Sequence, residues 1–346
     1  MKIAELCSYA EKVLSGGEIT PEEGERLITL PDTDTPLLLA LADKIRQHFC
    51  GDAVSCCAIL NSRSGSCPED CRFCAQSSHY QTNIQSYPLL DKATILDAAK
   101  KAKEKGASRF SIVTSGRSVR EGAEFAEILR AISSIRDAGL QACCSLGLIT
   151  ASQARELKRA GVSHYHANIE TAPSYFSHIC STHGIDDKIR LIRAVQDAGV
   201  SVCSGGILGL GESPRQRVEM AFTLKRLGIR SIPLNILTPI QGTPLAHAPQ
   251  LPPLEILRAF AVFRFILAQA LIRTAGGREV NLRSLQPFAL TGGLNGLMIG
   301  DYLTTKENDL SADMERLRDL GPKSACPAND GQPWPRRWPR RLKGRL

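Results

Sequence analysis

His164-Tyr165-His166-Ala167-Asn168-Ile169-Glu170 alternates polar and apolar side chains over its whole length. In an extended strand His164, His166, Asn168 and Glu170 share one face, and Tyr165, Ala167 and Ile169 share the other. A parallel strand covered on both faces reads as apolar throughout. Four polar residues in register therefore look into something polar, such as the ligand-filled lumen of a closed barrel. The competing reading is an exposed edge strand. Outward from this segment, a glycine recurs just ahead of short apolar runs: Gly106, Gly139, Gly161, Gly199 and Gly228, at intervals of 33, 22, 38 and 29 residues. A helix whose end needs positive φ, followed at once by a buried strand, produces that pattern. Strands are predicted at 54–60, 109–114, 141–146, 164–170, 201–207, 231–237, 271–276 and 296–300. Eight strands with helices between them predict an α/β chain closed as a (β/α)8 TIM-type barrel. An open doubly wound sheet is the alternative for any βα series.

The first fifty residues read as an N-terminal helical extension (1–50). Leu6, Ala10, Val13 and Leu14 have helical spacing, Pro21-Glu22-Glu23 is a helix start, and 36–48 is a further periodic run. The barrel follows over 51–321, and 322–346 is a basic, Pro-rich tail whose composition predicts disorder. Net charge is +8, and residues 331–346 carry +6 of it on Arg336, Arg337, Arg340, Arg341, Lys343 and Arg345. The remaining body gives no electrostatic case for a nucleic-acid partner. Arg258, Arg264, Gln269 and Arg273 interrupt the longest apolar stretch, so no membrane span is predicted. Met1-Lys2-Ile3-Ala4-Glu5 lacks the apolar run of a secretory signal, which predicts a cytoplasmic address.

Twelve cysteines are many for such a chain. A disulfide framework needs an oxidising compartment, so metal or redox chemistry is the better default and spacing decides. Cys7, Cys50, Cys180 and Cys326 stand isolated and read as structural thiols. The informative cluster is Cys67-Pro68-Glu69-Asp70-Cys71-Arg72-Phe73-Cys74. Three cysteines in C-x3-C-x2-C make a poor structural zinc site, which wants four closed ligands. They suit an iron–sulfur cube, with three irons held by thiolates and the fourth left open.

This signature resembles that of radical S-adenosylmethionine enzymes. The flanking Ser66 to Ser77, Tyr165 to Thr171, Val202-Cys203-Ser204-Gly205-Gly206, Gly242-Thr243-Pro244-Leu245 and Gly276-Gly277-Arg278-Glu279 resemble the biotin synthase family in particular. The likeness runs from about residue 40 to 320. It implies a sulfurtransferase in which Cys67, Cys71 and Cys74 hold a 4Fe–4S cluster that binds S-adenosylmethionine. Reductive cleavage of that cofactor gives a 5′-deoxyadenosyl radical, which abstracts hydrogen from dethiobiotin. Sulfur from an auxiliary 2Fe–2S cluster is then inserted, completing the last step of biotin formation.

The resemblance places Cys143, Cys203 and Arg273 around the auxiliary cluster. The family's remaining cysteine falls on Ser111, a harder and less acidic donor, so a standard 2Fe–2S site is in question. Either Ser111 ligates as an alkoxide or the cluster differs and recruits Cys57 or Cys144. By strand parity Cys144 points away from Cys143, which favours Cys57. Asn168, Glu170 and Lys188 fall at positions contacting S-adenosylmethionine, and the segment with Gly205, Ile207 and Glu212 frames its adenine. His166 and Asn235 fall at positions for the ureido ring of dethiobiotin. A homodimer and a flavodoxin- or ferredoxin-type electron donor are implied as partners. Two rival readings stand beside this one. A sister barrel enzyme such as a hydrogenase-cofactor maturase would share the first cluster but form another product. A non-catalytic metal-binding module would use its basic tail on nucleic acid.

Overall fold

Every strand read from the sequence is found in the computed structural model, which describes residues 1–300 and 310–321. The strands are β1 (Ser55–Arg63), β2 (Arg109–Thr114), β3 (Gln141–Ser145), β4 (His164–His166), β5 (Ser201–Cys203), β6 (Gly206–Leu208), β7 (Ser231–Ile236), β8 (Leu271–Thr274) and β9 (Gly296–Met298). All pair in parallel, in the order β5-β4-β3-β2-β1-β9-β8-β7-β6. Cys203 on β5 also pairs with Ser231 on β7, which closes the sheet on itself. β5 and β6 are two halves of one stave, so the sheet is an eight-stave barrel and the open-sheet alternative falls.

The sequence reads that fifth stave as unbroken, and its interruption has a physical cause. Pro233 lies inside β7 and has no N–H to give the ladder. Opposite it, Gly205 comes so close that an added Cβ would stand 1.8 Å from the Pro233 carbonyl oxygen. Gly205→Ala is therefore expected to destabilise the barrel by about 3 kcal/mol, the upper end for overpacking because backbone cannot yield as a side chain does. A lowered urea midpoint at unchanged slope would register it. The fourth stave is likewise shorter than 164–170. Ile169 and Glu170 both donate their N–H to the Gly205 carbonyl, at 3.1 and 3.2 Å, a local irregularity that ends the regular ladder.

Helices α1 (Ile3–Leu14), α2 (Pro21–Ile28) and α3 (Thr35–Cys50) form the expected N-terminal extension. Thr20 and Glu23 make a reciprocal capping box at the start of α2, with Pro21 at its first position. Around the barrel lie α4 (Lys92–Glu104), α5 (Ala123–Asp137), α6 (Ala151–Ala160), α7 (Ile185–Asp197), α8 (Pro214–Arg226) and α9 (Pro253–Ile266). α6 ends on Gly161 at φ 96°, a left-handed cap, and the other four recurrent glycines share its sign. One hydrophobic core runs from Leu6 and Ile45 of the extension through Phe260 and Phe263 of α9 to the outward strand faces. The tail 322–346, with its expected disorder, lies outside the described residues. Among those described, no helix is long and apolar enough to cross a membrane.

Arg264 on α9 is fully buried and makes no ion pair among the described residues. Its guanidinium instead donates to the carbonyls of Gly293, Ala268 and Ala270 at 2.6, 2.9 and 2.8 Å, and to Asn295 Oδ1 at 2.9 Å. Carbonyls just past the helix C-terminus stabilise a cation there. Arg264→Leu would orphan several of these acceptors at roughly 1–3 kcal/mol each, so a loss of about 3 kcal/mol or more is expected in urea unfolding.

Candidate active site

The loop after β1 carries Cys67, Cys71 and Cys74, all free thiols and all half-buried. Backbone bonds fold it back on itself: Cys67 N–H donates to the Gln76 carbonyl at 3.0 Å, and Ser78 N–H to the Cys67 carbonyl at 2.7 Å. Ser66, just before the first cysteine, has φ 53°, and Glu170 has φ 64°. Strained backbone at non-glycine residues tends to mark functional positions. Burial pushes the Cys74 thiol up to about 11, with the nearby Cys67 and Glu170 adding to the rise against the Gln76 amide. The Lys188 charge reaches both Cys71 and Glu170. Glu170 itself titrates above its ordinary value because burial outweighs Lys188 and its hydrogen bond with Asn168. Asn168 Oδ1 also accepts from Gly205 N–H at 3.0 Å. Cys67, Cys71, Cys74, Asn168, Glu170 and Lys188 are thus one neighbourhood.

A second group sits deeper in the lumen. Register pairs Ser111 with Cys143, Cys143 with His164, and His166 with Cys203. Cys57 pairs with Arg109, and Arg273 with Pro233. The His166 imidazole lies within hydrogen-bonding reach of the Cys57, Cys143 and Cys203 thiols. Burial opposes its charge, but those sulfurs prevail and raise its pKa. Burial pushes the Cys203 thiol up, yet His166, Arg273 and the Ser231 hydroxyl bring it down to about 6. The same balance, with Arg273 and His166 opposing burial, lowers the Cys57 thiol. Cys144, one residue from Cys143, packs instead into the outer core, as parity requires.

Two buried polar atoms here, Ser111 Oγ and Arg273 Nε, have no hydrogen-bond partner among the described residues. Such orphans call for an acceptor or donor that the protein does not itself supply. A donor set of three thiols, a hydroxyl and a guanidinium fits an iron–sulfur cluster. β4 and the residues just after it link the two groups: His166 ends the strand and Glu170 lies four residues further along the same stave.

Three residues of the expected site have protein partners that account for them. Glu212 Oε1 accepts from Arg217 Nε at 2.7 Å and from Gly209 N–H at 2.9 Å, a buried ion pair extended to Glu255 by Arg217. Asn235 donates to the Gly206 carbonyl at 3.3 Å and accepts from Gly276 N–H at 3.0 Å, clipping β6 to the chain after β8. Gly205 is required by Pro233, as described above. Ile207 is half-buried on β6, where its N–H donates to the Glu170 carbonyl at 2.8 Å.

Sequence reading missed Arg109 and the segment 180–183. Arg109 is buried among the lumen thiols and near Arg273, and burial with that like charge depresses its pKa. Its parity with Ser111 was the available signal. Cys180, read as an isolated thiol, lies 3.8 Å from the Cys71 sulfur. The Cys180-x2-His183 spacing was the clue there.

Residues 61–224 match the Radical SAM superfamily, and 233–323 match the Biotin and Thiamin Synthesis associated domain. A biotin synthase of Pelotomaculum thermopropionicum is 50% identical over 90% of this chain and 97% of its own. One of Desulforudis audaxviator is 48% identical over 92% of this chain and 98% of its own. The chain belongs to the biotin synthase family. Methylornithine synthase shares the fold at a TM-score of 0.78 and 18% identity, covering 90% of this chain and 96% of that one. A maturase of the [FeFe]-hydrogenase does so at 0.78 and 16%, covering 92% and 75%. Both likenesses concern the barrel, whereas the biotin synthases agree in sequence along nearly the whole chain. Membership of the biotin synthase family brings a 4Fe–4S cluster with S-adenosylmethionine and an auxiliary cluster.

Proposed function

We propose that this protein is a biotin synthase, a sulfurtransferase that converts dethiobiotin to biotin inside its barrel lumen. The observation that carries this reading is the stacking of two sulfur-rich groups along one polar strand face, with Cys57, Cys143, Cys203 and Arg273 below the cysteine loop. When bound, the 4Fe–4S cluster with S-adenosylmethionine supplies the 5′-deoxyadenosyl radical and the auxiliary cluster supplies sulfur.

Cys67, Cys71 and Cys74 would hold the first cluster, and the lysine charge of Lys188 would face the carboxylate of S-adenosylmethionine. Lys188 can act there as a point charge without the bidentate geometry of arginine. Asn168 and Glu170 offer hydrogen-bond acceptors to the ribose and the methionyl amine, with Gly205, Ile207 and Glu212 in the segment that frames the adenine. Cys143, Cys203, Arg273 and Cys57 would surround the auxiliary cluster, with Ser111 beside them. His166 and Asn235 would face the ureido ring of dethiobiotin, Asn235 with whatever hydrogen-bonding capacity its bonds to Gly206 and Gly276 leave. The closed staves keep water and stray C–H bonds from a reactive carbon radical. A flavodoxin- or ferredoxin-type donor, a homodimer and a cytoplasmic address complete the reading.

The test is anaerobic: reconstituted protein, a low-potential reductant, S-adenosylmethionine and dethiobiotin. Biotin and 5′-deoxyadenosine should both accumulate. Release of 5′-deoxyadenosine with no biotin would overturn the assignment while leaving the radical chemistry in place.

A further inference from the structure

Cys180 and His183 have no part in the three-cysteine motif, yet the fold buries both of them against it. We propose that Cys71, Cys180 and His183 form a binding site for a divalent transition-metal ion of the iron(II) or zinc(II) type in the chain before it receives its 4Fe–4S cluster.

The case is geometric. One ligand atom from each of the three residues lies within 4.8 Å of the others. The two sulfurs are 3.8 Å apart. A tetrahedral metal with bonds of about 2.3 Å to each thiolate sets its sulfurs about 3.8 Å apart. The Cys180 sulfur lies 3.2 and 3.9 Å from the two ring nitrogens of His183. A tetrahedral sulfur–metal–nitrogen arrangement needs about 3.5 Å, so Nε2, the nitrogen at 3.9 Å, has to approach by about 0.4 Å. Little movement separates this arrangement from a coordinating one.

The surroundings match those of metal-bound imidazoles. Glu69 Oε2 lies 2.5 Å from His183 Nδ1. With Nδ1–H donating a hydrogen bond to that carboxylate, Nε2 keeps its lone pair for a metal, the arrangement seen around many ligating histidines. Glu69 is held in turn by Arg117 Nη1 at 3.1 Å and the Thr182 hydroxyl at 2.6 Å. Asp70 Oδ1, 3.2 Å from the Cys180 sulfur, is the nearest oxygen for a fourth position. It already accepts from the backbone N–H groups of Ser181 and Thr182 at 2.9 and 3.1 Å. The segment 180–183 and the cysteine loop are therefore tied together whether or not a metal is present.

Cys71 is common to this site and to the 4Fe–4S ligand set, so the two occupancies exclude each other. An ion held by Cys71, Cys180 and His183 withholds one cluster ligand until it is displaced. This makes the site a control point in cluster assembly, independent of which reaction the assembled enzyme performs.

The test uses the full chain, stripped of clusters under anaerobic conditions and titrated with cobalt(II), whose visible spectrum reports thiolate and imidazole ligation. The lumen thiols bind cobalt as well, so the comparison is of stoichiometry between variants. Cys180→Ser and His183→Gln should each bind one cobalt fewer per chain than wild type. Glu69→Gln should keep the site with affinity lowered about 10–100-fold, the usual effect of losing an outer-shell carboxylate. One equivalent of zinc(II) added beforehand should slow the growth of the iron–sulfide chromophore during reconstitution of wild type but not of His183→Gln. Far-UV circular dichroism establishes which variants fold, and either one that does suffices. Cobalt stoichiometry unchanged in a folded variant, or an equal zinc delay in wild type and His183→Gln, would overturn the proposal.

Discussion

Protein carrying Cys67→Ala, Cys71→Ala and Cys74→Ala together is expected to release no 5′-deoxyadenosine above background, with or without dethiobiotin. The three thiols are the only anchors the loop offers to one cube, and alanine provides neither charge nor lone pair to replace them. Asn168, Glu170 and Lys188, proposed to contact S-adenosylmethionine, remain, so weak cofactor binding is expected to persist without its cleavage. The lumen group lies on the barrel strands rather than in the loop and should keep its own iron. Anaerobic iron and sulfide analysis with Mössbauer spectroscopy reads both consequences: the cube's signal disappears and the auxiliary signal stays. Loss of both signals in a folded variant would mean that the two groups are not independent. Persistent 5′-deoxyadenosine formation would remove the cysteine loop from the chemistry altogether.

The barrel was legible because two simple periodicities survive in the sequence. Gly161 and its counterparts mark helix ends by a backbone requirement that only glycine meets cheaply. The alternation at 164–170 survives because its two faces meet different media, Tyr165, Ala167 and Ile169 the core and His166 and Asn168 the lumen. The cysteine loop was legible because its ligands lie within eight residues of one another. What escaped was long-range or depended on partners. Cys180 and Cys71 are 109 residues apart, and nothing local to either announces the other. Glu212 carries the composition of a ligand-binding loop, but its buried partner Arg217 is visible only once α8 is in place. The break between β5 and β6 depends on Pro233, which sits on the next stave, 28 residues beyond Gly205, and acts through a missing donor.

Cys57 is the thiol proposed to complete the auxiliary cluster's ligand set in a chain with serine at 111. Cys57→Ala is expected to lose the auxiliary iron and sulfide, to retain 5′-deoxyadenosine release, and to form biotin more slowly by at least the roughly 10–100-fold that even an outer-shell change costs a metal site. The reason lies in the lumen. Cys57 sits opposite Arg109 on the neighbouring strand and interacts with Arg273, His166 and Cys203, and Cys143 shares two of these partners, His166 and Arg273. Ser111 lies in register with Cys143 and is wholly buried, yet its hydroxyl has no partner among the described residues. A hydroxyl is a weaker donor to iron than a thiolate, so the thiol one rung away is the better third sulfur. Ser111→Ala should therefore leave auxiliary iron unchanged, and Cys144→Ala should do the same because its sulfur faces the outer core. Cys57→Ser, closer in shape to the natural residue, separates loss of a ligand from loss of packing. An auxiliary spectrum untouched in both Cys57 variants but altered in Ser111→Ala would return the ligand role to the serine oxygen.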